Sequence, residues 1–175
     1  MSSIPKLNED VMKACQLYVD NLIKPIHSLG KLEEMAVRIA GITGIVKPSY
    51  LSKALVIFGG DTAVDGENKT KGRLSHDEMK LVAQGYGPVN VIARQLEAPV
   101  YLIDAGLEKD TSDIEGVLTK KMIHGTHHGR PAMDDEVVEN AISLGMSVAK
   151  TLAAQGVEAA GIGNIGERSL LSALA

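Results

Sequence analysis

The chain has 175 residues, enough for one domain or for one domain with a small appendage. Its 45% hydrophobic and 23% charged composition, without any low-complexity tract, is that of a globular protein with an aliphatic core; Trp is absent, and the aromatic residues are Phe58 and four tyrosines. A net charge of −4 and so few rings for base stacking argue against a nucleic-acid-binding face, and no apolar run approaches the ~18 residues of a membrane span. The single cysteine, Cys15, rules out an internal disulfide and sits among apolar residues at helical spacing, which predicts a buried thiol. The start of the chain does not resemble a signal peptide, so a cytoplasmic protein is expected.

Residues 7–23 place Leu7, Val11, Ala14, Cys15, Tyr18, Leu22 and Ile23 on one stripe of a helix, which Pro25 ends. Residues 31–42 form a second helical pattern with Leu32, Met35, Ala36, Ile39 and Ala40 on its apolar face, stopped by Gly41 and Gly44. Pro48 and Ser49 read as a connector. The period then changes. ALVIF, residues 54–58, is a continuous apolar run of the kind covered on both faces in a parallel sheet. A polar glycine-containing loop follows. Residues 75–96 read as helix in two pieces, broken near Gly85 and Gly87-Pro88, with Ser75 opening a capping-box pattern.

PVYLIDAG, residues 99–106, is a second buried strand. Residues 134–155 form a long helix with Val137, Val138, Ala141, Leu144, Val148, Ala149 and Leu152 inward. VEAAGIG, residues 157–163, is a third strand, and a last helix is expected from Glu167. Strands alternating with helices predict an α/β fold of three layers with a short parallel sheet, preceded by a helical pair. The expected division is residues 1–48 as the helical segment and 49–175 as the α/β domain. Ligands of such sheets lie beyond the carboxyl ends of the strands, so the loops at 59–66, from 106 onward and at 163–168 should share one edge.

Each of these loops carries groups that chemistry can use. Asp61 and Asp65 follow the first strand, where a carboxylate can hold a ribose hydroxyl or a metal; the competing reading is a turn in which Asp accepts backbone N–H groups. The segment HGTHHGRPAM carries His124, His127 and His128, but no HExxH pattern is present and adjacent histidines face opposite ways, so no metal is expected. Its Gly125-Thr126 and Arg130 can meet an anion or a sugar. The closing GIGNIGER, residues 161–168, lets backbone N–H groups approach a ligand closely, although glycines at a strand-to-helix turn can also serve packing alone. No GK[ST] follows, so it is no Walker A loop, and Glu167 just inside the helix would repel a phosphate.

These segments, in this order, resemble the nicotinate-nucleotide:dimethylbenzimidazole phosphoribosyltransferase family of cobalamin lower-ligand synthesis. The likeness runs through DNLIKPIHSLGKLEEMAVRIAGITG (20–44), VIFGGDTAVDG (56–66), GPVNVIARQLEAPVYLIDAGL (87–107), HGTHHGRPAM (124–133) and AISLGMSVAKTLAAQGVEAAGIGNIGERS (141–169). Members of that family are about twice this length, and the likeness is to their N-terminal half. It implies transfer of phosphoribosyl from nicotinate mononucleotide to a benzimidazole nitrogen without a cofactor. It also implies a general base, a glutamate near the C-terminus of the full-length form, in a part this chain does not contain.

Thr62 stands where the family has a histidine, KTKGRLSHDEM replaces a segment that helps hold the benzimidazole, and Asn164 stands where an ungapped alignment places a glutamate. Asp61, Gly125, Thr126, Gly163, Asn164 and Gly166 remain the expected substrate-binding positions, and no catalytic residue is assigned. The expected ligand is a small nucleotide or azole base. The apolar stripes of the two opening helices predict a homo-oligomer, or a heteromer with a chain that supplies the other half. The alternatives to an active or split enzyme are a regulatory homologue that binds without catalysis and an oligomeric structural homologue.

Overall fold

The computed structural model describes residues 4–49, 51–61, 73–122 and 133–167. Residues Met1–Leu51 and Ser52–Ala175 form two compact units.

The first unit is a helical pair. In α1 (Glu9–Asp20) the Asn8 side chain accepts the Val11 N–H, so one of the unpaired donors at the helix start is satisfied. Helix α2 (Lys31–Thr43) ends on Gly44, whose φ of 72° is the left-handed conformation a glycine enters at little cost. The helices approach closely at Gly41: a Cβ there would lie 2.6 Å from Met12 Cγ, and the Asn8 N–H donates to the Gly41 carbonyl at 3.0 Å.

The buried faces match the expected stripes only in part: Cys15 and Ala40 are buried as expected. Cys15 and Val19 of α1 pack with Val37 and Ala40 of α2, whereas Leu32 and Met35 are exposed. Burial pushes the Cys15 thiol pKa up. The departure has a cause in Glu33, which is 4% exposed and occupies the inner face of α2. Its carboxylate meets the Lys24 ammonium at 2.8 Å and reaches back to accept the Leu29 N–H at 3.1 Å. The Lys24 interaction first, and the Leu29 N–H second, hold this carboxyl below the usual glutamate range. A charged residue with two such partners can sit where periodicity alone reserves a place for leucine.

The second unit is the α/β domain. Its strands are β1 (Lys53–Gly60), β2 (Val100–Gly106), β3 (Val117–Thr119) and β4 (Ala159–Ile165). Its helices are α3 (Arg73–Ala83), α4 (Pro88–Gln95) and α5 (Asp135–Ala154). All strand pairs are parallel, in the order β3-β2-β1-β4. The expected fold class is what the structure shows. Strand β3 has no counterpart in the sequence reading, and β4 runs two residues further than the expected strand.

Successive β1 residues separate the layers. Ile57 packs with Met79 and Val82 of α3 and with Leu102, Leu107 and Ile165. Val56 and Ala54 belong to the opposite cluster, with Ile103 and with Leu152, Leu144 and Val148 of α5. The α3–α4 break is built as its residues suggest. Pro88 opens α4, where a missing N–H costs nothing. Asn90 accepts the Gly87 N–H and donates to the Val82 carbonyl, which ties the end of α3 to the start of α4.

Candidate functional site at the carboxyl edge of the sheet

The parallel strands deliver their carboxyl ends to one edge, and Asp61 sits there directly after β1, 1% exposed. A register shift between Gly59 and Gly60 changes the pairing with β2 just ahead of it, a common device for re-aiming a strand end at a site. The Asp61 carboxylate gathers three elements. Its Oδ2 accepts the Ser75 hydroxyl of α3 at 2.9 Å and the Glu108 N–H beyond β2 at 2.8 Å. Its Oδ1 accepts the Glu167 N–H beyond β4 at 2.7 Å. The Asp61 N–H itself donates to the Gly106 carbonyl at 3.1 Å. An ionised carboxylate offers roughly four acceptor positions, so three donors leave about one for a ligand.

Asp104, near the end of β2, is a second buried carboxylate that sequence reasoning missed. It accepts the N–H groups of Gly106 and Leu107 at 3.0 and 2.8 Å and the Thr111 hydroxyl at 2.6 Å. Lys121 lies 3.8 Å from it and donates to the Leu107 and Lys109 carbonyls. The signal was present: an acidic residue inside the apolar run YLIDAG must find donors if it is to be buried.

Ser75 and His76 were also unassigned. Ser75 does not open α3 as a cap but lies within it, its hydroxyl donated to Asp61. His76, 2% exposed, places Nε2 3.1 Å from Asp113 and Nδ1 3.2 Å from the Lys109 ammonium and 3.4 Å from Asp77. The His76 contact is the main cause that holds the Asp113 carboxyl below its usual range. These contacts tie α3 to the segment after β2.

Of the other expected positions, Gly163 and Asn164 lie on β4 and Gly166 immediately after it. At Gly163 a Cβ would stand 2.8 Å from Ile57 Cδ1, the far end of a flexible side chain, so a side chain there needs that methyl to shift. Gly125 and Thr126, the three histidines beside them and Asp65 lie outside the described residues. Glu167, which follows Gly166, has a buried Oε1 without a hydrogen-bond partner among the described residues.

Two other places have site-like features. A cleft of about 650 Å³ opens between the end of β3 and the start of α5 and is lined by Lys120, Lys121, Asp134 and Glu136 among others. Its charges are mixed, and β3 lies at the opposite side of the sheet from β4. In the helical unit, ligand-type atoms of Asp20, His27 and Glu33 come within 4.8 Å of one another. The Lys24 ammonium already neutralises Glu33 there and would repel a metal cation.

In a parallel α/β sheet the crevice beyond the carboxyl ends of the strands is where ligands are usually held, and Asp61 stands at that edge. A family model described as phosphoribosyltransferase matches residues 4–175. The chain is 33% identical over 170 residues to the nicotinate-nucleotide–dimethylbenzimidazole phosphoribosyltransferase of Ruminiclostridium cellulolyticum, covering 95% of this chain and 48% of the relative. It is 32% identical to the same enzyme of Geobacter sulfurreducens, with the same coverage. The crystal structure of the Thermus thermophilus enzyme superposes with a TM-score of 0.75 at 27% identity, over 92% of this chain and 50% of that one.

The chain belongs to the nicotinate-nucleotide:dimethylbenzimidazole phosphoribosyltransferase family. It spans about half the length of the curated relatives it matches. Among the described residues no helix is long and apolar enough to cross a membrane.

Proposed function

We propose that the carboxyl edge of this sheet binds the substrates of phosphoribosyl transfer from nicotinate mononucleotide to a benzimidazole-type base, a step of cobalamin biosynthesis. The chain then contributes one half of the working site. The observation that carries the reading is the convergence of Ser75, Glu108 and Glu167 on Asp61, which holds three strand-end elements around one point. The remaining acceptor position of Asp61 suits a ribose hydroxyl. Gly163, Asn164 and Gly166 supply the close-approach surface beside it, and Gly125 and Thr126 are assigned to the phosphate.

In the reaction an azole nitrogen forms a bond to C1 of the ribose while the bond to the nicotinate nitrogen breaks, and nicotinate leaves with that electron pair. The proton on the other azole nitrogen must then pass to a base. Positioning of this kind accounts for much of such catalysis, and a well-placed base adds typically 10²–10⁴ in rate. The orphaned Oε1 of Glu167 is a candidate proton acceptor on this half. Small-molecule chemistry in a cytoplasmic setting fits the reading, as does association through the helical unit, where Leu17, Leu32, Met35 and Ile42 are exposed.

A second reading is favoured by the same carboxylate: Asp61 is largely occupied in holding loops, as suits a homologue that binds nucleotide or azole without turnover. Turnover of nicotinate mononucleotide with dimethylbenzimidazole, followed beside thermal stabilisation by each ligand, separates the two. Product formation establishes the enzyme. Stabilisation alone leaves the binding homologue, because a ligand that favours the native state raises its stability. Neither response refutes both.

A further inference from the structure

Ser75 and His76 are consecutive on α3, Glu108 and Lys109 are consecutive beyond β2, and the two pairs meet as adjacent rungs. In the first rung the Ser75 hydroxyl and the Glu108 N–H both donate to Asp61 Oδ2, at 2.9 and 2.8 Å. In the second the Lys109 ammonium lies 3.2 Å from His76 Nδ1. Among the described residues, the charged groups around the buried His76 ring come from the same two segments. Asp113 Oδ1 lies 3.1 Å from Nε2, and Asp77 Oδ1 lies 3.4 Å from Nδ1. The Lys80 ammonium stands 3.7 Å from Asp113.

An ammonium can only donate, so Nδ1 accepts from Lys109 and the one proton of the ring sits on Nε2, donated to Asp113. This neutral form satisfies both nitrogens. The imidazolium cannot keep the arrangement, because its Nδ1–H would point at a cation 3.2 Å away. Asp77 is the carboxylate placed to accept that proton, and Lys109 must then move off. The side chains of Asp77 and Asp113 are each more than half exposed, so protons reach the ring although it is buried. Histidine is the side chain that ordinarily changes charge between about pH 5 and about pH 8.

We propose that His76 is a positioning residue for the Asp61 site and acts as a pH-operated clamp on it. With His76 neutral, Lys109 is held against α3 and its neighbour Glu108 is kept on Asp61. With His76 charged, Nδ1–H donates to Asp77, Lys109 is released, and the Glu108–Asp61 rung loosens. A site whose walls are set by that rung then holds a ligand less tightly. This last step rests on the reading of the edge as the substrate site; the clamp itself does not.

The test uses the full chain without ligand. Imidazole nitrogen NMR shifts report the tautomer and charge of His76, and amide protection factors report the rung. The expected result at about pH 8 is the Nε2–H tautomer alone. Acidification to about pH 5.5 should convert it to imidazolium and cost Glu108 about tenfold in protection relative to Leu102 in the middle of β2. The amide of His76→Gln can accept from Lys109 and donate to Asp113 but does not titrate. That variant should keep the Glu108 protection seen at the higher pH and lose its pH dependence. Lys109→Met keeps the histidine and should abolish the exclusive tautomer. A His76 that carries its proton on Nδ1 at the higher pH overturns the proposal. So does a tautomer indifferent to Lys109→Met, or a fall in Glu108 protection that is equal in His76→Gln. Nicotinate mononucleotide, titrated at both pH values, should lose about fivefold more affinity on acidification in the unsubstituted chain than in His76→Gln. An equal loss in both overturns the link to the site. No binding at either pH refutes the substrate reading, while the clamp is decided by the ligand-free spectra.

Discussion

The Asp61 carboxylate accepts the Glu167 N–H at 2.7 Å across 106 positions of the chain. The loop after β4 is thereby fixed to the loop after β1, and the same side chain holds Ser75 and Glu108. Asp61→Ala removes a buried acceptor that the Ser75 hydroxyl and the Glu108 and Glu167 N–H groups share. An unsatisfied buried donor costs about 1–3 kcal/mol, so the variant should lose about 3 kcal/mol or more in urea unfolding. Ser75→Ala removes one of the three donors while Asp61 keeps the other two, and should lose only about 1 kcal/mol.

Lys121 serves the neighbouring carboxylate. It stands 3.8 Å from Asp104, which is fully buried, and donates to the Leu107 and Lys109 carbonyls. Asp104 keeps its other donors when Lys121 is lost, and Lys121 is a third exposed, so Lys121→Met should cost only about 1–2 kcal/mol. Amide exchange in residues 107–111 should accelerate more than elsewhere in the α/β unit.

The helical unit should be acid-sensitive. The Glu33 carboxyl is held below the usual range, first by Lys24 and then by the Leu29 N–H. Its contribution is therefore present above the ordinary glutamate pKa of about 4.3 and is lost as pH falls through the lower folded value. Circular dichroism of the chain should show helix loss beginning below about pH 4. Glu33→Gln should be less stable at pH 7 and should remove that share of the acid dependence.

Close approach of α1 and α2 depends on the missing side chain at Gly41, where a Cβ would meet Met12 Cγ at 2.6 Å. Gly41→Val should destabilise the pair by about 2 kcal/mol through overpacking. The double variant Met12→Ala, Gly41→Val should recover part of that loss, because the two side chains compete for one space. Thermal melts of the single and double variants decide it.

The parallel sheet was legible because its strands are continuous apolar runs separated by helical patterns, and Gly85 and Gly87-Pro88 marked the α3–α4 break. Strand β3 was not: Val117–Thr119 is three residues long and carries no periodicity. The phase of α2 was hidden because Glu33 is buried by virtue of Lys24, nine residues earlier, a pairing no hydropathy pattern records. At the site, Asp61 stood out from its place after a strand. Its donors did not, because Ser75, Glu108 and Glu167 lie 14, 47 and 106 positions away and meet only when the sheet forms. Asp104 was passed over because it sits within a run that reads as plain core.

The most direct test of the account is a two-dimensional amide NMR titration of the chain with nicotinate mononucleotide and, separately, with dimethylbenzimidazole. The perturbed amides should cluster at Asp61, Glu108 and residues 163–167, the groups drawn together at the sheet's carboxyl edge. Saturable shifts confined to the helical unit or to the cleft beside Lys120, or no shifts at millimolar ligand, would contradict it.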